Sequence, residues 1–407
     1  MLKAFFIKPY GCKLNQYHAL ILRQNLINAG FIEESSFKNA TVCIAISCVV
    51  TEKAEKEVRS ALKKWKKNGK EVFAAGCFGR SLTEKLRSDG VIFGSEELVF
   101  SLICQSDTIK YDPLLNNTGE KSRAFVKIQQ GCNQFCSYCI VPYTRGSPIS
   151  RDKSQILDEI EVLCDSGIKE IVLTGTQIGL YHQIKPRQVT LLDLLQCIEQ
   201  KFSSKLYRAR LSSIHPNFVT QALLEFISTS SLWCNHLHIS LQSGSNNILK
   251  AMNRKYTTED YMSIIQTARL LIPGFLVSTD LIVGFPGETE QDFEDSCDFV
   301  RKIQFSKIHV FPYSSRFEAS SHLFECQLDE RIIQNRKRTM LELSKCLSYN
   351  LNCTFVGKKV EVLVERDCTG FTRNYKKVIL NRNKSQSLHE MLGVIVSDCN
   401  EEVLLEG

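Results

Sequence analysis

GCNQFCSYC, residues 131–139, places Cys132, Cys136 and Cys139 in one loop with three and two residues between them. Tetrahedral zinc takes four ligands, and no fourth Cys or His follows at a zinc-like spacing. A cubane iron–sulfur cluster on three cysteines keeps one iron open. An open iron can chelate S-adenosylmethionine through its amino and carboxylate groups, next to a centre that can deliver one electron. A reactive or structural thiol cluster is the alternative reading of the loop by itself.

Working outward, the loop follows an apolar strand at 124–128, and five more such strands are expected at 170–173, 207–211, 236–239, 275–282 and 307–311, separated by segments of helical period. Six strand–helix units predict a parallel, partial (β/α)6 barrel whose site lies at the C-terminal ends of its strands, where the cysteine loop falls. Four polar, glycine-bearing turns end later strands on the same rim: LTGTQIG (173–179), LSSIHP (211–216), ISLQSGS (239–245) and IVGFPGE (282–288). Together they predict a cofactor pocket. GFPGET lacks the Gly-Lys-Ser/Thr ending of a nucleoside triphosphate loop.

Residues 1–108 predict a small α/β, flavodoxin-like domain with strands at 4–8, 42–47 and 72–75. Each strand is followed by a cysteine: Cys12 in PYGCKLNQ, Cys48 in ISCVVTEKA and Cys77 in AAGCFGR. Sites in open parallel sheets form beyond the carboxyl ends of strands, so these three are expected to converge, either as metal ligands or as buried thiols. The lysine-rich segment 51–68 predicts a helix with a solvated or phosphate-contacting face. Residues 118–347 form the barrel domain, ending in a helix at 329–351. Residues 350–407 alternate in the manner of a small β-barrel. Its basic run Arg373, Lys376, Lys377, Arg382 and Lys384, interleaved with Phe371 and Tyr375, has the composition of an RNA-binding surface. A basic face that merely packs is the alternative.

The 407 residues carry a net charge of +7, with 43% hydrophobic and 23% charged residues, as in ordinary globular proteins. No apolar run approaches the roughly 20 residues a membrane crossing needs, and the N-terminus has no cleavage-site pattern, so a cytoplasmic location is expected. Seventeen cysteines in a chain of this size read as metal ligands plus core residues, Cys43, Cys164, Cys197 and Cys297 among the latter.

In motif order the chain resembles the methylthiotransferases of the radical S-adenosylmethionine superfamily along essentially its whole length. KIQQGCNQFCSYCIVPYTRG (127–146) is similar to the family's radical-cluster loop, and the segments 236–261 and 279–293 to its later barrel strands. GCKLNQ, SCVVT and Gly76–Cys77 match its second-cluster positions, and GFTRNYKKV (370–378) its RNA-binding TRAM domain. The resemblance implies S-adenosylmethionine and two [4Fe–4S] clusters, each with an open iron. One would sit on Cys132, Cys136 and Cys139 for radical formation, the other on Cys12, Cys48 and Cys77 for sulfur delivery. Gly175, Thr176, Gln177, Ser212, Gln242 and Ser243 become candidates for holding the nucleoside cofactor, and Arg254 for its carboxylate. The implied partners are the anticodon stem-loop of transfer RNA, an electron donor such as flavodoxin or ferredoxin, and a sulfur source, with the enzyme a monomer. LTGTQIG and HVFPYSSR (309–316) resemble most the bacterial branch acting at C2 of threonylcarbamoyladenosine 37, rather than the isopentenyladenosine or ribosomal-protein aspartate branches. Ile46 and Ser47, Gln130, and Phe317 with Glu318 depart from the family pattern, and none of them is an implied ligand.

Overall fold

β1 (Ala4–Pro9), β3 (Val42–Ser47) and β4 (Glu71–Gly76) form where the N-terminal sequence runs apolar, and the short β2 (Ile32–Glu33) and β5 (Ile92–Gly94) complete a parallel sheet. The computed structural model describes residues 3–105, 112, 122–182, 190–381 and 388–407. The strand order β2-β1-β3-β4-β5 is that of flavodoxin-like sheets, whose ligand crevice opens at the β1/β3 switch point. β3 is buried along its whole length, as a central strand covered on both faces must be. α1 (Lys13–Asn28) and α4 (Glu96–Cys104) cover one face through Leu22, Leu26 and Phe100. α2 (Glu52–Lys67) and α3 (Arg80–Ser88) cover the other through Val58, Leu62, Trp65 and Leu82. The lysines of α2 lie on its exposed side.

All six expected barrel strands are present. β6 (Arg123–Gln130), β7 (Ile149–Ser150), β8 (Glu170–Gly175) and β9 (Arg208–Leu211) form one sheet of order β7-β6-β8-β9. β10 (Ser213–Ile214), β11 (His236–Ile239), β12 (Leu276–Val283) and β13 (Lys307–Pro312) form the next in sequence order. Except for the antiparallel β7, pairing is parallel. The bridge Ala209–Trp233 and the bond from Cys234 N to Ala209 O (3.0 Å) stitch the two sheets together. Among the described residues nothing pairs β13 with β6, so the barrel stays open on one side. The expected helix runs Glu330–Cys353 with Asp329 as its N-cap, and buries Met340 and Leu347 in the barrel's core.

β14 (Lys359–Glu365), β15 (Thr369–Thr372), β16 (Lys377–Ile379), β17 (Met391–Cys399) and β18 (Val403–Glu406) close into a small barrel around Val362, Val364, Val378 and Leu404. Its docking differs from the expectation. Phe371 and Tyr375 stack on one another at 5.1 Å, and the guanidinium of Arg123 lies over Phe371 at 4.4 Å. Arg373 points at the central domain, donating to the carbonyls of Ser231 (2.6 Å) and Trp233 (2.8 Å). Lys376 is only 6% exposed. The segment expected to face RNA is therefore largely a docking surface, because its aromatics meet Arg123 of β6 and Arg210 of β9, and Arg373 and Lys376 bond to carbonyls of Ser231, Trp233 and Ser306 in the central domain. Lys377 alone of the described cations is exposed, and Arg382 and Lys384 lie outside the described residues. Arg208 and Arg210 complete the joint. They flank the buried Glu170 and donate to the carbonyls of Phe371 and Thr372 at 2.7 Å each. Burial alone would raise the Glu170 carboxyl, but the two guanidinium groups hold it down at about 2.

Candidate active site

The loop after β6 is fixed by short-range bonds before any ligand enters. Gly131 has φ +78°, and a Cβ there would stand 2.1 Å from the carbonyl of Ser147, so only glycine turns the chain at this point. Cys132 N donates to Gly146 O (3.0 Å), Gly131 N to Thr176 Oγ1 (3.1 Å) and Cys139 N to Cys136 O (3.0 Å). Ser137 ties the loop to the far wall through Ala251 O (2.8 Å) and Met252 O (3.1 Å). Burial pushes the Cys139 thiol up to about 12, with Cys136 adding to it, and raises Cys132 in the same way. Such thiols stay protonated at neutral pH unless a bound cationic centre holds them as thiolates. Arg254, buried, aims Nη1 at Cys136 Sγ (3.4 Å), while Nε donates to the Tyr256 hydroxyl (2.9 Å) and Nη2 to Ser240 O (2.8 Å).

The second triad is built by the N-terminal sheet. Cys12 caps α1 and is exposed, whereas Cys48 and Cys77 are buried after β3 and β4. Gly11 has φ +83°, and a Cβ there would meet Cys48 Sγ at 2.5 Å, which shows how closely the first two loops approach. Burial pushes Cys48 up to about 11, with Cys12 and Cys77 contributing. Asn15 Nδ2 bonds Tyr10 O (2.7 Å) and Ser47 O (2.8 Å), and Ser47 Oγ donates to Cys77 O (2.6 Å). Arg145 arrives from α5 (Val141–Arg145), just beyond the first triad. Its Nε lies 3.0 Å from Cys77 Sγ and its Nη2 2.6 Å from Asn15 Oδ1. Among the described residues no three Cys, His, Asp or Glu side chains gather tightly enough for one metal ion. A four-iron cube sets its ligands wider than a single ion does, and each triad presents the three sulfurs and the positive neighbour that such a cube requires.

Beside Cys139, at the junction of the two domains, lies a cavity of about 190 Å³. Val50 and Thr51 line it from the N-terminal domain, Tyr138 and Cys139 from the cysteine loop, and Gln242 and Asp280 from the barrel. Arg316 holds the two domains across it by a buried pair with Glu55 (2.9 Å), and Glu52 N donates to Ser314 Oγ (3.0 Å). The unusual residues beside Arg316 belong to this joint: Glu318 accepts from Arg80 N at the start of α3, and the Phe317 ring lies under the Arg80 guanidinium at 5.5 Å.

The cofactor candidates divide by what they touch. Gln242 lines the cavity, and Ser212 is buried with a hydroxyl that has no partner among the described residues, as a waiting ligand contact would be. Thr176 and Gln177 are occupied in holding β6 and the cysteine loop, Gln177 N donating to Gln129 Oε1 (2.9 Å), and Gly175 packs against Gln129 O. Ser243 is wholly buried, its hydroxyl 3.2 Å from Ser245 N and 3.4 Å from Ser296 Oγ. Arg254 reaches the cysteine loop, with one guanidinium nitrogen on a sulfur. Arg145, Asn15 and Tyr138 were not singled out by sequence reasoning. The signal available for the first two was their place three residues after Cys12 and six after Cys139.

Comparison with known proteins accords with this architecture. Residues 126–300 match the model of the radical SAM superfamily, and residues 4–94 that of the uncharacterized protein family UPF0004. The chain is 34% identical to the threonylcarbamoyladenosine tRNA methylthiotransferase MtaB of Chlamydia pneumoniae, over 97% of this chain and 96% of that one. It is 32% identical to the tRNA-2-methylthio-N(6)-dimethylallyladenosine synthase of Alkaliphilus oremlandii, over 99% and 93% respectively. Among solved structures, the radical S-adenosylmethionine methyltransferase TsrM of Kitasatospora setae, with cobalamin and a [4Fe–4S] cluster bound, superposes with a TM-score of 0.55 at 14% identity, covering 77% of this chain and 72% of that one. At that identity the match speaks for the fold. No helix among the described residues is long and apolar enough to cross a membrane.

Proposed function

The chain belongs to the radical S-adenosylmethionine tRNA methylthiotransferase family, and we propose that within it the chain methylthiolates C2 of N6-threonylcarbamoyladenosine at position 37 of transfer RNA. The observation that carries the reading is the cavity at the domain junction, lined by Cys139 of the triad on the barrel rim and by Val50 and Thr51, which follow Cys48 of the triad on the N-terminal sheet. Similarity over nearly the full length to MtaB of Chlamydia pneumoniae supports the threonylcarbamoyl substrate. A second reading, dimethylallyladenosine, is favoured by the comparable identity to the Alkaliphilus oremlandii synthase.

The cofactors are S-adenosylmethionine and [4Fe–4S] clusters, which when bound supply a 5′-deoxyadenosyl radical and a sulfur for a carbon that no ordinary base deprotonates. In this reading Cys132, Cys136 and Cys139 hold the radical-forming cluster, and Cys12, Cys48 and Cys77 the sulfur-delivering one. Arg254 and Arg145 each place a guanidinium on one ligand sulfur, countering the negative charge of a thiolate-bound cluster. Tyr138 and Gln242 line the space where the nucleosides meet, the buried Ser212 hydroxyl stands without a partner among the described residues, and the Arg316–Glu55 pair keeps the two domains at a fixed separation.

Anaerobically reconstituted protein is expected to hold about eight irons per chain. Replacing Cys12, Cys48 and Cys77 together by Ala should halve the iron and abolish methylthiolation while reductive cleavage of S-adenosylmethionine survives. Loss of cleavage in a folded variant would sink this division of labour. Mass spectrometry of transfer-RNA nucleosides from a deletion strain decides between the two substrates by which methylthio nucleoside disappears.

A further inference from the structure

Beside the cavity at the cysteines lies a larger one, of about 600 Å³, in the lumen of the open barrel. Lys13 enters it from the start of α1, His238 from β11, Lys307 and His309 from β13, and Tyr375 and Lys376 from the C-terminal barrel. The positive charge of this wall is not balanced. Arg210 is taken by Glu170, and Glu401, one of the wall's two carboxylates beside Glu402, stands 4.0 Å from Lys345. Lys13, Lys307 and Lys376 make no ion pair among the described residues. Lys376 is buried with a single acceptor among the described residues, the carbonyl of Ser306 at 3.1 Å. Burying an ammonium without an anion is unfavourable. Burial, with Lys307 adding to it, pushes Lys376 down to about 8. Tyr375 feels the same field: burial would raise its hydroxyl, but Lys13, Arg123 and Arg210 pull it below the usual phenol range.

The lumen also adjoins both triads. Lys13 follows Cys12 directly in the chain, and Asp280, which lines the smaller cavity with Cys139, lies 3.1 Å from His238 in the lumen wall. In an adenine, C2 and the substituted C6 flank the same ring nitrogen, so a group on N6 leaves the ring close to the reacting carbon. The threonylcarbamoyl group ends in a carboxylate. The smaller cavity is lined by no lysine or arginine that could meet it, whereas the lumen has four ammonium groups without an ion pair among the described residues, those of Lys13, Lys307, Lys376 and the exposed Lys377.

Building on the threonylcarbamoyl reading above, we propose that the lumen is the specificity pocket for the carboxylate of the N6 substituent, with Lys13 as its principal counter-ion and Lys307 and Lys376 setting the surrounding positive field. A dimethylallyl group in the same place would leave these ammonium groups uncompensated, and the pocket rejects it for that reason.

The test uses the full-length reconstituted protein with S-adenosylmethionine and four anticodon stem-loops that differ only at position 37: threonylcarbamoyladenosine, its neutral methyl ester, dimethylallyladenosine and adenosine. Dissociation constants are read by fluorescence anisotropy at one fixed salt concentration, since phosphate contacts are salt-dependent. The unaltered protein should bind the carboxylate about tenfold more tightly than the ester, the scale of one charge-assisted hydrogen bond. Lys13→Gln should lose that factor for the carboxylate and nothing for the ester, dimethylallyladenosine or adenosine. An equal loss for all four would make Lys13 a backbone contact, and no loss for any would make it a bystander; both overturn the proposal. If Lys13→Gln loses iron, Lys307→Gln, at an exposed position of the edge strand β13, must show the same selective loss at smaller amplitude, and an absent loss overturns the proposal as well. Failure of the substrate reading appears separately, as methylthiolation of the dimethylallyl stem-loop and not the threonylcarbamoyl one by the unaltered protein.

Discussion

One triad is written into a single loop, whereas the other exists only where three strand ends of a parallel sheet meet. Both use glycine with a left-handed φ just before a cysteine, and both carry an arginine on one sulfur. They differ in what completes them. The loop of Cys132, Cys136 and Cys139 is tied by bonds to Gly146, Thr176 and Ala251 within its own domain. The triad of Cys12, Cys48 and Cys77 borrows Arg145 from the neighbouring domain, so its electrostatics depend on domain docking. A site encoded locally tolerates disturbance elsewhere, and a site encoded by topology does not.

The hardest test of that difference substitutes the two glycines. In Gly131→Ala the new methyl meets backbone at 2.1 Å, which no side-chain rotation relieves, and the strained φ alone is worth about 1–3 kcal/mol. Iron at this loop and cleavage of S-adenosylmethionine should both be lost, with a melting temperature several degrees lower. In Gly11→Ala the methyl meets the Cys48 side chain at 2.5 Å, so the N-terminal iron should fall while cleavage persists. Equal loss of cleavage in both variants would mean that the two sites cannot be separated.

A smaller effect is expected from the arginines. A cationic hydrogen bond to a ligand sulfur favours the reduced, more negative cluster, so Arg145→Gln and Arg254→Gln should each lower a midpoint potential. Arg145 sits closer to its sulfur, at 3.0 Å against 3.4 Å, and should give the larger shift, confined to the N-terminal centre. A redox titration followed by electron paramagnetic resonance that finds the Arg145→Gln shift at the radical loop would reverse this assignment.

How much of this was legible beforehand follows from the same contrast. The cysteine loop could be read because ligand spacing is covalent. The N-terminal triad could be anticipated because parallel sheets gather the ends of their strands, and β1, β3 and β4 are long enough to show an apolar run. β2 and β5 span two and three residues, too few to display any period. Arg145 and Asn15 were missed because a hydrogen bond to a distant sulfur has no local signature. The segment 371–377 was misjudged in direction for a related reason: composition reports that cations and aromatics are present, not which way they point. Here Arg373 and Tyr375 point into the barrel domain and only Lys377 keeps to solvent.

The smallest effect should come from Gln130, the last residue of β6 and the neighbour of Gly131. Its carbonyl accepts from Gln129 Nε2 (2.9 Å), which also reaches Gly131 O (2.6 Å), so the backbone at this position is held by its neighbour rather than by its own side chain. Gln130→Asp should therefore leave the loop's path and its iron unchanged while adding one negative charge beside a centre that must accept an electron. Like charge disfavours the more negative reduced state, so the midpoint potential of the radical-loop cluster should fall and that of the N-terminal cluster should stay where it is. Partial exposure of Gln130 screens the new charge, which is why the shift should be smaller than that of either arginine variant. A rise in potential, or an equal shift at both centres, would show that the loop is not the electrostatically independent unit that its local bonding describes.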